Sequence, residues 1–144
     1  MSQIVVDTDV ASYLFNWHSL AQGYANALRG SELVLSFMSV AELRMGTISA
    51  GWGARRRLLL EQFIRGFELF YADNDLCTVW ARIRADARAA GRPMSPQDAW
   101  IAATALALDA PLATNNRKDF EHVQKAPITF PVMPRPVRAF GAFG

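Results

Sequence analysis

Apolar residues arrive along this chain in two rhythms. Ile4-Val5-Val6, Leu33-Val34-Leu35, Phe67–Tyr71 and Pro111-Leu112-Ala113 are short runs, nearly all apolar, and read as strands covered on both faces. Between them the spacing widens to that of helices. Residues 54–65 carry Leu58, Leu59, Gln62, Phe63 and Ile64 at helical intervals. Residues 75–90 place Leu76, Val79, Trp80, Ile83 and Ala87 on one face, with Arg82, Arg84, Asp86 and Arg88 largely on the other. Shorter helices are expected over residues 9–15 and 18–28, the second ending at Gly30. Another is expected to start at Ser39, with Glu42 in its first turn, and to break at Gly51-Trp52-Gly53. Ser95-Pro96 opens a last long helix with proline at the favoured first position, running to about Asp109. Asn115-Asn116 reads as a turn. The alternation predicts an α/β fold in three layers, α/β/α, around a short and mainly parallel central sheet. One domain over residues 1–144 is expected, with a proline-rich tail, 126–144, packed on it or trailing from it.

Composition narrows the function classes. The 144 residues (16.0 kDa) are 51% hydrophobic and 19% charged, which excludes a disordered chain. No apolar run approaches the ~20 residues of a membrane span. Met1-Ser2-Gln3-Ile4 lacks the basic start and apolar stretch of a secretory signal, and Cys77 alone allows neither an internal disulfide nor a multi-cysteine metal site. The expected home is a reducing cytoplasm. The net charge of +2 hides an imbalance, because 13 of the 15 basic residues are arginine. The arginine fork suits phosphates, so the run Arg55-Arg56-Arg57 is either a phosphate track or an ordinary solvated helix face.

The acids form a pattern once placed on the elements. Asp7 follows the first strand, Glu42 the second, Asp98 lies in the first turn of the Pro96 helix, and Asp119 comes after the last strand. In parallel sheets function gathers at the carboxyl ends of strands, so all four should rise at one edge. Carboxylates so gathered repel unless a cation sits between them or some hold protons. Oxygen-only donors suit Mg²⁺ or Mn²⁺ rather than zinc. His18 and His122 have no ligand spacing. Each acid taken singly has a plainer account: Ser39…Glu42 and Ser95…Asp98 both fit helix caps, Asp7 could shape a turn, and Asp119 could be solvated beside Lys118.

The surrounding words carry the specificity. Ile4-Val-Val-Asp-Thr-Asp-Val10, Ser39-Val-Ala-Glu-Leu-Arg-Met-Gly46, Pro96-Gln-Asp-Ala-Trp-Ile-Ala-Ala-Thr-Ala105 and Leu112-Ala-Thr-Asn-Asn-Arg-Lys-Asp-Phe120 together resemble a PIN-domain ribonuclease, in order and over essentially the whole chain. The nearest likeness is to the VapC toxins of bacterial toxin–antitoxin pairs. The resemblance implies an Mg²⁺- or Mn²⁺-dependent endoribonuclease in which Asp7, Glu42 and Asp98 are the core acids. It implies support from Thr8 and Ser39, with Asp9 where many relatives have Asn and with Thr114 in the last segment. Its fourth acid is variable, and Asp119 is favoured over the position held here by Asn116. It further implies an RNA substrate, a VapB-like antitoxin, and a homodimer formed through Leu58–Ile64 or the first short helix. Two other readings stay open. Asp7-Thr8-Asp9 after a strand also matches the opening of haloacid-dehalogenase-type phosphatases, with Asp7 as nucleophile and Asp9 as acid. A non-catalytic PIN-like RNA-binding module is the third.

Overall fold

The structure is a computed structural model that describes residues 2–120, 122–125 and 128–129. The expectation for the tail beyond Thr129 lies outside the described residues. Four strands, β1 (Gln3–Val6), β2 (Glu32–Ser36), β3 (Glu68–Phe70) and β4 (Leu112–Ala113), form one sheet in the order β3-β2-β1-β4. Every pairing in it is parallel, with Val5 opposite both Val34 and Leu112 and Val6 opposite Ala113.

The helices cover both faces, and the strand side chains alternate between them. Ile4, Val6 and Leu35 pack into a core shared with α1 (Thr8–Asn16), α2 (Ala21–Leu28), α3 (Phe37–Ser49) and α4 (Ala54–Ile64). Val5, Val34 and Leu112 pack on the other face against α5 (Asn74–Ala89) and α6 (Pro96–Leu108). Both sides of β1 are therefore dry, which is why its sequence is an unbroken apolar run. The expected three layers are present, and their elements fall within a few residues of the expected bounds.

Chain order explains where a site can form. From β1 the chain builds outward through β2 to β3, then α5 and α6 carry it back to β4 on the opposite flank of β1. The direction of winding reverses between β1 and β4. At such a reversal the crossover helices diverge and leave a crevice at the strands' carboxyl ends.

One helix start is corrected. α3 begins at Phe37, not Ser39: Ser36 is its N-cap, with an extended backbone (φ −63°, ψ 146°) and an Oγ that accepts the Met38 N–H at 3.1 Å. Glu42 therefore sits in the second turn rather than the first. The sequence offers two serines three residues apart, and the one at the end of β2 has the non-helical backbone a cap requires. The pattern also gave no warning of the single-turn α7 (Arg117–Phe120) or of the antiparallel pair β5 (Gln124–Lys125) and β6 (Ile128–Thr129). Among the described residues, no helix is long and apolar enough to cross a membrane.

Candidate active site

The site is built on the ends of β1 and β4. The backbone N–H of Asp7 donates to the Ala113 carbonyl at 2.9 Å, extending the ladder one step beyond the strands and fixing the residue over the crevice. Asp7 then caps α1, and its Oδ1 accepts the Thr8 N–H at 2.8 Å. Its other oxygen accepts a 2.6 Å hydrogen bond from the Thr114 hydroxyl, which also accepts the Asn116 N–H at 2.9 Å. Only 6% of Asp7 is exposed. Burial first, and the Asp9 charge second, push its pKa up to about 8, while the Thr114 and Thr8 hydrogen bonds pull the other way.

Asp9, two residues on in the same helical turn, is also held above the usual carboxylate range by burial. It accepts the Val10 N–H at 2.7 Å, and that bond pulls its pKa back down. The Asp9 charge acts on the buried Asp7, and neighbouring carboxyls favour holding a proton over carrying two charges.

Glu42 joins the cluster through Thr8. Thr8 Oγ1 lies 2.8 Å from Glu42 Oε1 and 2.9 Å from the fully buried Ser39 Oγ. The Ser39…Glu42 capping box is thus excluded: with Ser36 holding the cap, Ser39 and Glu42 both turn toward α1. The second box stands, since Ser95 Oγ accepts the Asp98 N–H at 3.1 Å. Asp98 lies half-buried at the third position of α6, and burial raises its pKa, followed by the charges of Asp119, then Glu42 and Asp9. Asp9, Glu42 and Asp119 thus each act on the Asp98 carboxyl through their charge. Asn116 and Asp119 are exposed beside it, with the Asp119 N–H bonded to the Asn116 carbonyl at 3.0 Å.

Asn115 was read only as part of a turn. Its side chain joins two aromatic hydroxyls: Tyr24 donates to Oδ1 and Nδ2 donates to the Tyr13 hydroxyl, each at 3.3 Å. The available signal is an asparagine two residues past the last strand, directly after Thr114. Arg56 also differs from a free phosphate contact. It lies 3.8 Å over the Trp52 ring and donates to Asn16 at 2.7 Å. His122 packs near the Asp98 side, with its Nε2 buried and lacking a partner among the described residues.

Chemically this is a hard-oxygen site. Its hydrogen bonds join Asp7 to Thr114 and Glu42 to Thr8 and Ser39, with no cysteine or histidine among them. Arg44–Glu61 is an ion pair on the surface, and none of the five acids is ion-paired with another described residue. No three of them stand close enough to wrap one ion, again among the described residues, although their charges act on one another. Both observations follow from repulsion between uncompensated acids. The donor chemistry therefore fits a hard divalent cation such as Mg²⁺ or Mn²⁺.

Comparison with known proteins agrees with the geometry. A family model described as PIN domain matches residues 4–126. The chain is 30% identical to Ribonuclease VapC1 of Haemophilus influenzae over 128 residues, covering 83% of this chain and 90% of that protein. It is 24% identical to the tRNA(fMet)-specific endonuclease VapC of Shigella flexneri, covering 85% and 93% respectively. Among solved structures, VapBC-1 from nontypeable Haemophilus influenzae superposes with a TM-score of 0.71 at 25% identity, covering 90% of this chain and 97% of that one. VapBC2 from Rickettsia felis, bound to a promoter DNA fragment, gives 0.75 at 22% identity, covering 89% and 96%. No haloacid dehalogenase is needed to account for Asp7 and Asp9. From residues 4 to 126, in sequence and in fold, the chain belongs to the PIN domain family, among its VapC ribonucleases.

Proposed function

We propose that this protein is a divalent-metal-dependent endoribonuclease, the toxin of a cytoplasmic toxin–antitoxin pair. The observation that carries the reading is the buried Asp7 carboxyl, fixed by Thr114 and raised by the charges of Asp9 and Asp98, with no ion-pair partner among the described residues. A site costly to the free protein is what a cation-binding centre leaves behind. The names of the relatives support the substrate class, since they are ribonucleases or endonucleases.

In this reading Asp7, Asp98, Glu42 and Asp119 would hold Mg²⁺ or Mn²⁺. A cation held there supplies positive charge to a phosphodiester and acidity to an attacking water. The chain's own residues provide the orientation. Thr114 fixes one oxygen of Asp7, Thr8 and Ser39 fix Glu42 beside α1, and Ser95 fixes the turn from which Asp98 projects. Asn116, exposed next to Thr114, is placed to bond a water or a phosphate oxygen. Single-stranded or looped RNA is the substrate form whose backbone and bases are free to enter a crevice.

An antitoxin that inserted Arg or Lys among these acids would compensate their charge and exclude the metal. The VapBC neighbours are toxin–antitoxin assemblies and support such a partner. For a homodimer, Leu58 and Leu59 are 55% and 48% exposed on α4, whereas Leu60 and Ile64 are spent in the core. The test is to incubate the protein with RNA and with a phosphomonoester, and to express it with and without the product of the neighbouring reading frame. Metal-dependent RNA cleavage and relieved growth arrest are expected. Phosphomonoester turnover without RNA cleavage would replace the reading.

A further inference from the structure

Beside the acid cluster, on its α6 side, a groove of roughly 570 Å³ runs between the α5–α6 turn and α7. Its lining includes the acids Asp98 and Asp119 and the cations Arg92 and Lys118. Both cations are exposed, and neither forms an ion pair or a side-chain hydrogen bond among the described residues. Had they served to offset the neighbouring carboxylates, they would be paired with them. They are instead held apart, leaving two positive charges a short way from a centre that repels anions. Arg56, by contrast, is already engaged with Trp52 and Asn16.

We propose that this groove seats the nucleotide adjoining the scissile bond, with Arg92 and Lys118 binding backbone phosphates and setting RNA affinity rather than the rate of the chemical step. The inference rests on the ribonuclease reading. A polyanion cannot approach unscreened carboxylates without cations along its path, and phosphate contacts supply most of the sequence-independent affinity for nucleic acid. Guanidinium at one end grips a phosphate by its fork, and ammonium at the other acts as a point charge.

The experiment compares wild type with Arg92→Ala/Lys118→Ala and with a charge-matched control, Arg29→Ala/Arg65→Ala. The control residues precede β2 and β3 at the opposite edge of the sheet. Two readouts are taken: cleavage kinetics on a short single-stranded RNA in Mg²⁺, and the salt dependence of binding to a fluorescent RNA of the same sequence in Ca²⁺, which supports little cleavage. The groove variant should raise KM about tenfold with kcat within about twofold. Its slope of log Kd against log salt should flatten by about 0.7 for each lost contact. The control should match wild type, and Arg92→Lys/Lys118→Arg should recover most of the affinity. Cleavage by wild type with the same KM and slope in groove variant and control overturns the groove assignment alone. Binding without cleavage by wild type overturns the ribonuclease reading, while a flattened slope still supports the groove.

Discussion

The Thr114 hydroxyl donates a 2.6 Å hydrogen bond to Asp7 across 107 residues of sequence, joining the carboxyl ends of the two strands between which the winding reverses. It is the contact by which the topology of the sheet becomes the geometry of the site. The bond favours the charged carboxylate and holds it in one rotamer. Thr114→Val keeps the shape and removes the donor. The Asp7 pKa should then rise further, so the acidic limb of the pH–rate profile should move to higher pH. Cleavage at neutral pH should fall about 10–100-fold, the range found when the partner of a metal ligand is lost. Thr114→Ser should retain the wild-type profile.

Stability should also carry the signature of Asp7. Its folded pKa of about 8 lies above the ordinary 3.8 of the unfolded chain. Between those values the folded protein binds more protons than the unfolded one, so stability falls as pH rises through the interval. In EDTA, the Tm of wild type should drop from about pH 4 toward about pH 8, and Asp7→Asn should flatten that drop. Asp9 is raised in the same direction and adds to it. A metal-free Tm that climbs over this range would show that the acids are already compensated.

The response to metal separates one shared site from several independent caps. A cation that binds only the folded protein stabilises it by RT ln(1 + [L]/Kd), about 2.7 kcal/mol at a hundredfold excess over Kd. Wild type should gain Tm as Mg²⁺ or Mn²⁺ rises through millimolar levels at constant ionic strength. Asp98→Asn should gain much less. Ca²⁺ should stabilise wild type yet support little cleavage, because it accepts looser coordination. Coincident curves for the two proteins would return Asp98 to the role of a helix cap.

Much of this was legible in the sequence because parallel strands buried on both faces and amphipathic helices leave distinct spacings. Val5 and Val6 sit fully buried on opposite faces of one strand, and the unbroken run said so. Asp7 caps α1 at the end of β1 and Asp98 lies in the first turn of α6, positions that a strand end and a Ser-Pro cap foretell. Two things were hidden. The start of α3 depended on backbone dihedrals at Ser36 and Ser39, which residue type alone does not distinguish. Asn115 draws its importance from Tyr13 and Tyr24, roughly ninety to a hundred residues away, and such a contact leaves no local spacing to read.

The two serines offer a direct check of that correction. Ser36→Ala removes the true cap and should cost about 1 kcal/mol of stability, with cleavage near the wild-type rate. Ser39→Ala should leave the helix end intact but loosen Thr8 and Glu42, lowering cleavage about tenfold. Denaturation midpoints and initial rates on both variants decide it. The opposite assignment of effects would restore Ser39 as the cap.

The central claim is that carboxylates gathered at the carboxyl ends of β1 and β4 cleave RNA through a divalent cation. The most direct measurement is the initial rate on a defined single-stranded RNA, for wild type in Mg²⁺, for wild type in excess EDTA, and for Asp98→Asn in Mg²⁺. Asp98→Asn removes one ligand charge with almost no change in volume. The second and third rates should fall by orders of magnitude below the first, and the second should return when Mg²⁺ is restored. Undiminished cleavage by Asp98→Asn, or by protein stripped of metal, would contradict the account.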